Sequence, residues 1–345
     1  MTKSIVINKA TALSTEVAGY REALKQVGEE IAKQLPPNTK LAYDGDFRKF
    51  EIWCTQLGFK PLPATEESIT GYMTHLALGE KRKPSTILRR LFGIAYRHRR
   101  SDHPTPITPA VRAHLRNLRR QKEVNTTRKE APPLLVPELK IIVAALDGCT
   151  NDLREIALRD KAIMLIGWNC AFRRSEIVGL EVRDIIKRGG KRFVNVRHSK
   201  TDQEGQGIEL PLNAAKKHLE LCPLRALDAW LEFRGDTPGA LFWKISERTR
   251  ERRLVGGYVH RDEPMPWVQV NRMMTWWTLL SEVQEPDEPR YSPHSLRAGF
   301  ITEAALAGQL PNSIMARSRH KSLEVFNRYV RVALDHANDP AQAVI

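Results

Sequence analysis

Cysteine is scarce in this chain. The four present, Cys54, Cys149, Cys170 and Cys222, are widely separated and form neither a CxxC pair nor a zinc-ligand spacing. They read as reduced, mostly buried thiols rather than a disulfide framework or a metal knuckle. No apolar run approaches the roughly 18 residues of a membrane-crossing helix, and the N-terminus lacks the basic, apolar and small-residue succession of a secretory signal. There is no glycine-lysine phosphate loop, which argues against an ATP-driven reaction, and no cluster of carboxylates to hold the metals of a two-metal nuclease. Internal repeats and low-complexity tracts are also missing. An aromatic pattern of the kind used by sheet-type RNA readers does not occur.

What the chain does have is positive charge, unevenly placed. Its net charge is +15, and residues 1–130 hold 24 Lys and Arg against 13 Asp and Glu, whereas the remaining 215 residues carry a net charge of only +4. Between Lys81 and Lys129 stand 15 basic residues and two acids, Asp102 and Glu123. A stripe so poor in acids is the footprint of a polyanionic partner. At 345 residues the chain has room for two domains, each with its own core.

Helical signals dominate the first half. Residues 1–37 read as an arm, and residues 38–124 as a helical bundle. Thr39 is placed to cap a helix with Phe47, Phe50, Trp53 and Leu57 inward and Gly58 at its stop. Thr65, followed by Glu66 and Glu67, starts a second helix carrying Ile69, Tyr72, Met73 and Leu76. Pro84 opens a third, with Ile87, Leu91, Ile94 and Ala95 inward. Thr108-Pro109 opens a fourth, with Val111, Leu115 and Leu118 inward. Helical phase assigns DNA contacts to Arg89, Arg90, Arg97 and Arg100 on the third helix and to Arg112, Arg116, Arg119 and Arg120 on the fourth, with Lys81 and Lys83 just ahead. The apolar faces of these helices are needed for the bundle core, which argues against membrane binding.

Residues 125–137 are polar and proline-bearing and read as a linker to a second domain, 138–332. That domain opens with helices over 138–146 and 153–168. It then changes period at Lys191–His198, a strand whose partner is Ile208–Leu212, with Lys200 at or beside the hairpin tip. Helices follow from Ala214 onward, and residues 333–345 form a tail. The fold class expected is mainly α in two domains, an N-terminal helical bundle and a C-terminal mixed α+β domain with a small β-hairpin.

Six residues in this second domain stand out. Arg173 lies where one apolar helix ends and another begins, a position suited to phosphate, with Glu176 three residues on to orient it. His294 and Arg297 share a helix face. His320 precedes Tyr329 by nine residues, and Ser322 can cap a short helix holding Val325, Phe326 and Tyr329. Singly, each has a plain structural reading: a surface ion pair, a surface histidine, a core tyrosine. Together with Lys200 and in this order they resemble the tyrosine recombinase (phage integrase) family. Ala171–Leu180 with Lys200 is similar to the first block of that family, and His294–Phe300 with His320–Tyr329 to its second. The resemblance spans residues 38–332, with one departure: Ser318-Arg319 stands before His320 where many members have glycine.

The resemblance implies a SAM-like, core-binding N-terminal clamp and a catalytic domain in which Tyr329 attacks a DNA phosphate. Arg173 and Arg297 would neutralise the developing charge, and His320 would donate a further hydrogen bond. His294 would take the tyrosine proton or position the phosphate, while Lys200 protonates the leaving 5′-oxygen. It also implies no metal or other cofactor. The partners implied are duplex DNA with a specific inverted-repeat site and a homotetramer on DNA formed from free monomers, with the tail docking on a neighbouring subunit. The setting would be the cytoplasm of a bacterium, in a plasmid or phage context. Two other readings stay open: a type IB topoisomerase, which shares the chemistry but relaxes DNA without synapsis, and a non-catalytic DNA-binding protein of the same fold.

Overall fold

Proline opens seven of the eleven α-helices among the described residues, at their first or second position. There it lacks only an N–H that would have had no partner, and its fixed φ already suits the helix. The computed structural model describes residues 35–121, 131–150, 153–197, 207–245, 264–284 and 289–324, together with 326, 327 and 329. Most of the expected arm, part of the expected linker and the tail lie outside these residues. The chain divides into two compact units, Met1–Arg128 and Lys129–Ile345. No described helix is long and apolar enough to cross a membrane.

The first unit is helical. Helix α1 spans Pro37–Leu57 and α2 Glu66–Thr74, which runs on into a π-helical turn at His75–Gly79. Helices α3 (Pro84–Arg100) and α4 (Pro109–Arg120) complete it. Thr65 and Thr108 cap α2 and α4 as their positions predict, accepting hydrogen bonds from Ser68 N–H and Val111 N–H. Gly58 ends α1 in the left-handed conformation at φ 75°. The core joins Phe47, Phe50, Trp53, Ile69, Tyr72, Met73, Ile87, Leu91, Ile94, Val111 and Leu118. His98 is buried here, with Nδ1 2.8 Å from the Ile94 carbonyl and Nε2 accepting from Ala64 N–H at 2.8 Å.

Three expectations are corrected in this unit. Helix α1 begins at Pro37, so Thr39 is inside the helix and not its cap. Leu57 is exposed, and fully buried Cys54 takes the inward position one turn earlier. Arg90 does not face outward: it is 3% exposed and donates to Tyr72 Oη at 3.0 Å and to Glu80 at 3.4 Å. It lies three residues after Ile87 and four before Ile94, which places it on the inward stripe whatever its charge.

The second unit is built around α6 (Arg154–Asn169), where Ala162 to Ile166 are all buried. Around it stand α5 (Val136–Asp147), α7 (Arg174–Val178), α8 (Pro223–Arg234), α9 (Trp267–Leu280), α10 (Pro293–Leu306) and α11 (Pro311–Ser318). The three-stranded antiparallel sheet runs in the order β1 (Ile185–Arg188), β2 (Lys191–Val196), β3 (Ile208–Leu212). Strand β1 is an addition to the expected hairpin. The tight turn that pairs it with β2 uses Gly189 and Gly190 at φ 56° and 71°, the left-handed pair a two-residue hairpin favours.

Small residues bring the elements that carry the site together. At Gly167 on α6, a Cβ would stand 3.1 Å from both Ile177 of α7 and Leu296 of α10. At Gly299 on α10, a Cβ would fall 1.9 Å from the Leu134 carbonyl oxygen. Leu134 is fully buried, donates its N–H to the Ser295 carbonyl at 3.0 Å and accepts from Trp168 Nε1 at 3.0 Å. The last residues of the expected linker are therefore a strap packed across α10, not a free connector.

Gly299→Ala is expected to destabilise the second unit by about 1–3 kcal/mol, because the strap or the helix must shift to admit the methyl group. Gly45→Ala, in an exposed stretch of α1 with nothing near the new Cβ, is expected to stabilise by about 0.5–1 kcal/mol. Denaturant unfolding of the two variants beside the parent reads both signs.

Candidate active site

Three chain segments of the second unit converge on one place. The first is the break between α6 and α7. Ala171 turns the chain at φ 48°, and Arg173 becomes the N-cap of α7 in an extended conformation. Glu176, in the first turn of α7, is nearly buried and binds Arg173 twice: Oε2 accepts the Arg173 backbone N–H, and Oε1 accepts Nη1, each at 2.8 Å. The carboxylate serves the helix end and fixes the guanidinium at once.

The second segment is the start of α10, where Ser292 is the cap and accepts from His294 N–H at 3.2 Å. His294 is exposed and Arg297, one turn later, is 1% exposed. Arg297 Nη1 donates to the Ala171 carbonyl at 2.7 Å, and Nη2 lies 3.2 Å from Nε2 of His320. The third segment follows α11. Arg319 takes the left-handed conformation at φ 58°, His320 follows, and a short helical turn then carries Phe326 and Tyr329. Tyr329 Oη lies 2.6 Å from His294 Nε2, and its ring centroid is 5.5 Å from that of His320.

Arg173, Glu176, His294, Arg297, His320 and Tyr329 are thus brought together from positions up to 156 residues apart. Lys200 falls in the connection between β2 and β3, outside the described residues. Two neighbours of His320 also belong to the cluster, although in the sequence they stand out only as a departure from the family pattern. Ser318 Oγ donates to the Ile314 carbonyl at 2.7 Å and lies 2.8 Å from His320 Nδ1. A hydroxyl has one proton to give, so Ser318 accepts from His320 Nδ1–H, and Nε2 presents its lone pair to Arg297. Arg319 is 8% exposed, with Nη2 donating to Glu176 Oε2 at 2.7 Å and to the Ala171 carbonyl at 3.0 Å.

Three guanidiniums, those of Arg173, Arg297 and Arg319, thereby surround the one carboxylate of Glu176. Burial and the excess positive charge both act on the protonation of the site. Burial, and then Arg173 and Arg319, push Arg297 down to about 9. Burial, followed by Arg297, Arg173, His294 and Arg319, pushes His320 down to about 3. A cluster of this kind is electrostatically incomplete and favours an anion.

In the first unit, Lys81, Lys83, Arg97 and Arg100 are exposed, as are Arg112, Arg116, Arg119 and Arg120 along α4. Arg89 is half-exposed and paired with buried Asp46 at 2.9 Å. Arg90, being buried, is not part of this face.

His320 is neutral in the folded chain until pH falls to about 3, against an ordinary value of about 6.5. Its contribution to stability is full above the unfolded value. It is lost as pH falls from there, because the unfolded chain takes up the proton first. His98, lowered chiefly by burial, acts in the same direction in the first unit. His320→Gln is therefore expected to lose less stability than the parent between about pH 7 and pH 4. Denaturant unfolding across that range checks it, and the His320 ring nitrogens, followed by NMR, should show no protonation above about pH 4.

The phage integrase family matches residues 137–336. An integrase/recombinase XerD homolog of Selenomonas ruminantium is 31% identical over 304 residues, covering 87% of this chain and 83% of that protein. The recombinase Cre of Escherichia phage P1 is 24% identical over 309 residues, covering 82% of this chain and 81% of Cre. Among solved structures, a lambda integrase tetramer bound to a Holliday junction has a similar fold, with a TM-score of 0.57 and 15% identity over 90% of this chain and 76% of that one. The matched span holds the whole cluster around Tyr329, and the chain belongs to the phage integrase family of tyrosine recombinases.

Proposed function

We propose that the protein cleaves and rejoins duplex DNA at a specific site through a 3′-phosphotyrosyl intermediate, with Tyr329 as nucleophile. The observation that carries this reading is the 2.6 Å contact between Tyr329 Oη and His294 Nε2 beside a cluster of side chains with unbalanced positive charge. A tyrosine hydroxyl, with an ordinary pKa of about 10, is a weak nucleophile until a base takes its proton. His294 is in place to do so.

The step balances without an outside reagent. Tyr329 Oη bonds to phosphorus as its proton passes to His294, and the bond from phosphorus to the 5′-oxygen breaks. That oxygen leaves with a proton from Lys200. Arg173 and Arg297 bear the charge that builds on the non-bridging oxygens. His320, its Nε2 turned to Arg297 in the free protein, gives that contact up as the phosphate enters. The anion then favours uptake of a second proton from solvent by the ring, which lets Nε2 donate to it. The bond energy is conserved in the phosphotyrosine, so attack by a 5′-hydroxyl reverses the step with no ATP and no metal.

Recombination follows when the attacking 5′-hydroxyl comes from a second duplex. We assign the exchange to a tetramer acting on two inverted-repeat sites through a Holliday junction, in the cytoplasm of a bacterium. The tetramer and junction on which the lambda integrase of similar fold was solved support this assignment. The exposed arginines of α4, with Lys81, Lys83, Arg97 and Arg100, would grip the phosphate backbone. A topoisomerase would use the same chemistry and relax supercoils without synapsis.

Incubated without metal on a nicked suicide duplex carrying its site and then denatured, the parent should migrate with DNA attached. Tyr329→Phe should give no adduct while binding the duplex equally well. A parent that binds but forms no adduct would point to the non-catalytic reading. Neutralising Arg112, Arg116, Arg119 and Arg120 together should weaken binding to all sequences. The slope of log affinity against log salt should fall by about 0.9 for each phosphate that no longer meets a cation.

A further inference from the structure

Of the three described non-glycine residues of the second unit with positive φ, two meet at the candidate site: Ala171 at φ 48° and Arg319 at φ 58°. Both hold buried positions, and a hydrogen bond of 3.0 Å from Arg319 Nη2 to the Ala171 carbonyl joins them. The other Nη donors of the Arg319 fork are also committed. Nη1 donates to the Cys170 carbonyl at 3.0 Å and to the Arg317 carbonyl at 2.9 Å, and Nη2 reaches Glu176 Oε2 at 2.7 Å. Its guanidinium also lies over the Phe172 ring, 5.3 Å from the centroid. With its four Nη donors used and its Nε–H buried without a hydrogen-bond partner, the enclosed Arg319 has little left to offer a phosphate.

Its partners, however, are the groups that hold the two arginines assigned to the phosphate. Glu176 Oε2 is shared between Arg319 and the Arg173 backbone N–H, while Oε1 holds the Arg173 guanidinium. The Ala171 carbonyl is shared between Arg319 and Arg297 Nη1, at 3.0 and 2.7 Å. Arg317, two residues earlier, reinforces the same junction by donating to the Asn169 carbonyl at 3.0 Å and to Asn169 Oδ1 at 2.6 Å. The chain just ahead of His320 and Tyr329 is thus bolted to the break between α6 and α7.

We propose that Arg319 is a positioning residue for the phosphate site, locking Glu176 and the Ala171 carbonyl so that Arg173 and Arg297 keep one orientation and His320 keeps its place beside them. The inference rests on the strand-cleavage reading for its consequence, but not for its geometry. A glycine at position 319 would accept the left-handed turn more readily than arginine does. What arginine supplies is the fork, which couples the loop that delivers the nucleophile to the loop that delivers the first phosphate arginine. A lysine could supply the charge, but not simultaneous bonds to a carboxylate and three carbonyls.

The test compares the parent with Arg319→Gly, which relaxes the backbone, and Arg319→Lys, which keeps the charge. Two readings are taken. One is the set of arginine Nε–H NMR signals of the protein without DNA. The other is affinity and single-turnover adduct formation on a suicide duplex selected by the protein from random sequence. Arg319→Gly should still unfold cooperatively, at a lower temperature than the parent because buried Glu176 loses a partner, and should bind DNA within about twofold of the parent. Its Arg173 and Arg297 signals should shift and broaden, and its adduct should form at least about 30-fold more slowly, with Arg319→Lys in between. Unmoved Arg173 and Arg297 signals overturn the proposal whatever the rate does, as does a parental rate in spite of moved signals. If the parent itself forms no adduct, the strand-cleavage reading fails, and the NMR reading alone decides the positioning role. If Arg319→Gly does not fold, Arg319→Lys carries the same two readings.

Discussion

Glu176 is the carboxylate that the arginines of the site share, and both its oxygens are committed. One holds the Arg173 guanidinium; the other takes the Arg173 backbone N–H and the Arg319 fork. A buried carboxylate is tolerable only with such partners, and buried guanidiniums gain equally from the exchange. The break between α6 and α7, the first turn of α7 and the loop after α11 therefore stand or fall together. Arg297 completes the arrangement by binding the Ala171 carbonyl beside them. What is left over is positive charge, which together with the larger effect of burial depresses Arg297 and His320.

The outer face of α4 and the candidate site manage arginine in opposite ways. In the first, Arg112, Arg116, Arg119 and Arg120 line the solvent side of α4 in high dielectric, where mutual repulsion is weak and a polyanion can reach them. In the second, Arg297 and Arg319 are buried, and every buried guanidinium needs a fixed acceptor. The first arrangement suits a grip that tolerates any sequence. The second suits a single phosphate held in one pose. Asp46 shows an intermediate case, a buried acid that engages half-exposed Arg89 and so partly withdraws it from the basic face.

How much of this is legible in the sequence depends on range. Caps are local chemistry, so Thr65, Thr108 and Gly58 can be read directly. The inward stripes follow from spacing, and the order of Arg173, His294, Arg297, His320 and Tyr329 carries the family likeness. Arg90 misleads because it borders both faces of its helix: beside Arg89 it reads as part of the basic face, yet its spacing of three from Ile87 and four from Ile94 sets it on the inward stripe. Strand β1 escapes notice because its four residues, Ile-Ile-Lys-Arg, show no alternation; only the two glycines after it mark the turn. The contribution of Ser318 and Arg319 is out of reach, since it depends on a left-handed turn and on contacts with residues nearly 150 positions earlier in the chain.

The strap at Leu134 bears on where the catalytic half of this chain begins. The phage integrase match starts at residue 137, and a fragment cut there would carry the whole of the matched span. It would lack the peptide that lies over Gly299, accepts the Trp168 indole N–H and donates to the Ser295 carbonyl. The glycine facet of α10 would then meet water, on the helix that presents His294 and Arg297. By packing, the catalytic half starts upstream of Leu134, and the connector between the halves is correspondingly shorter than the bounds of the family match alone would draw it.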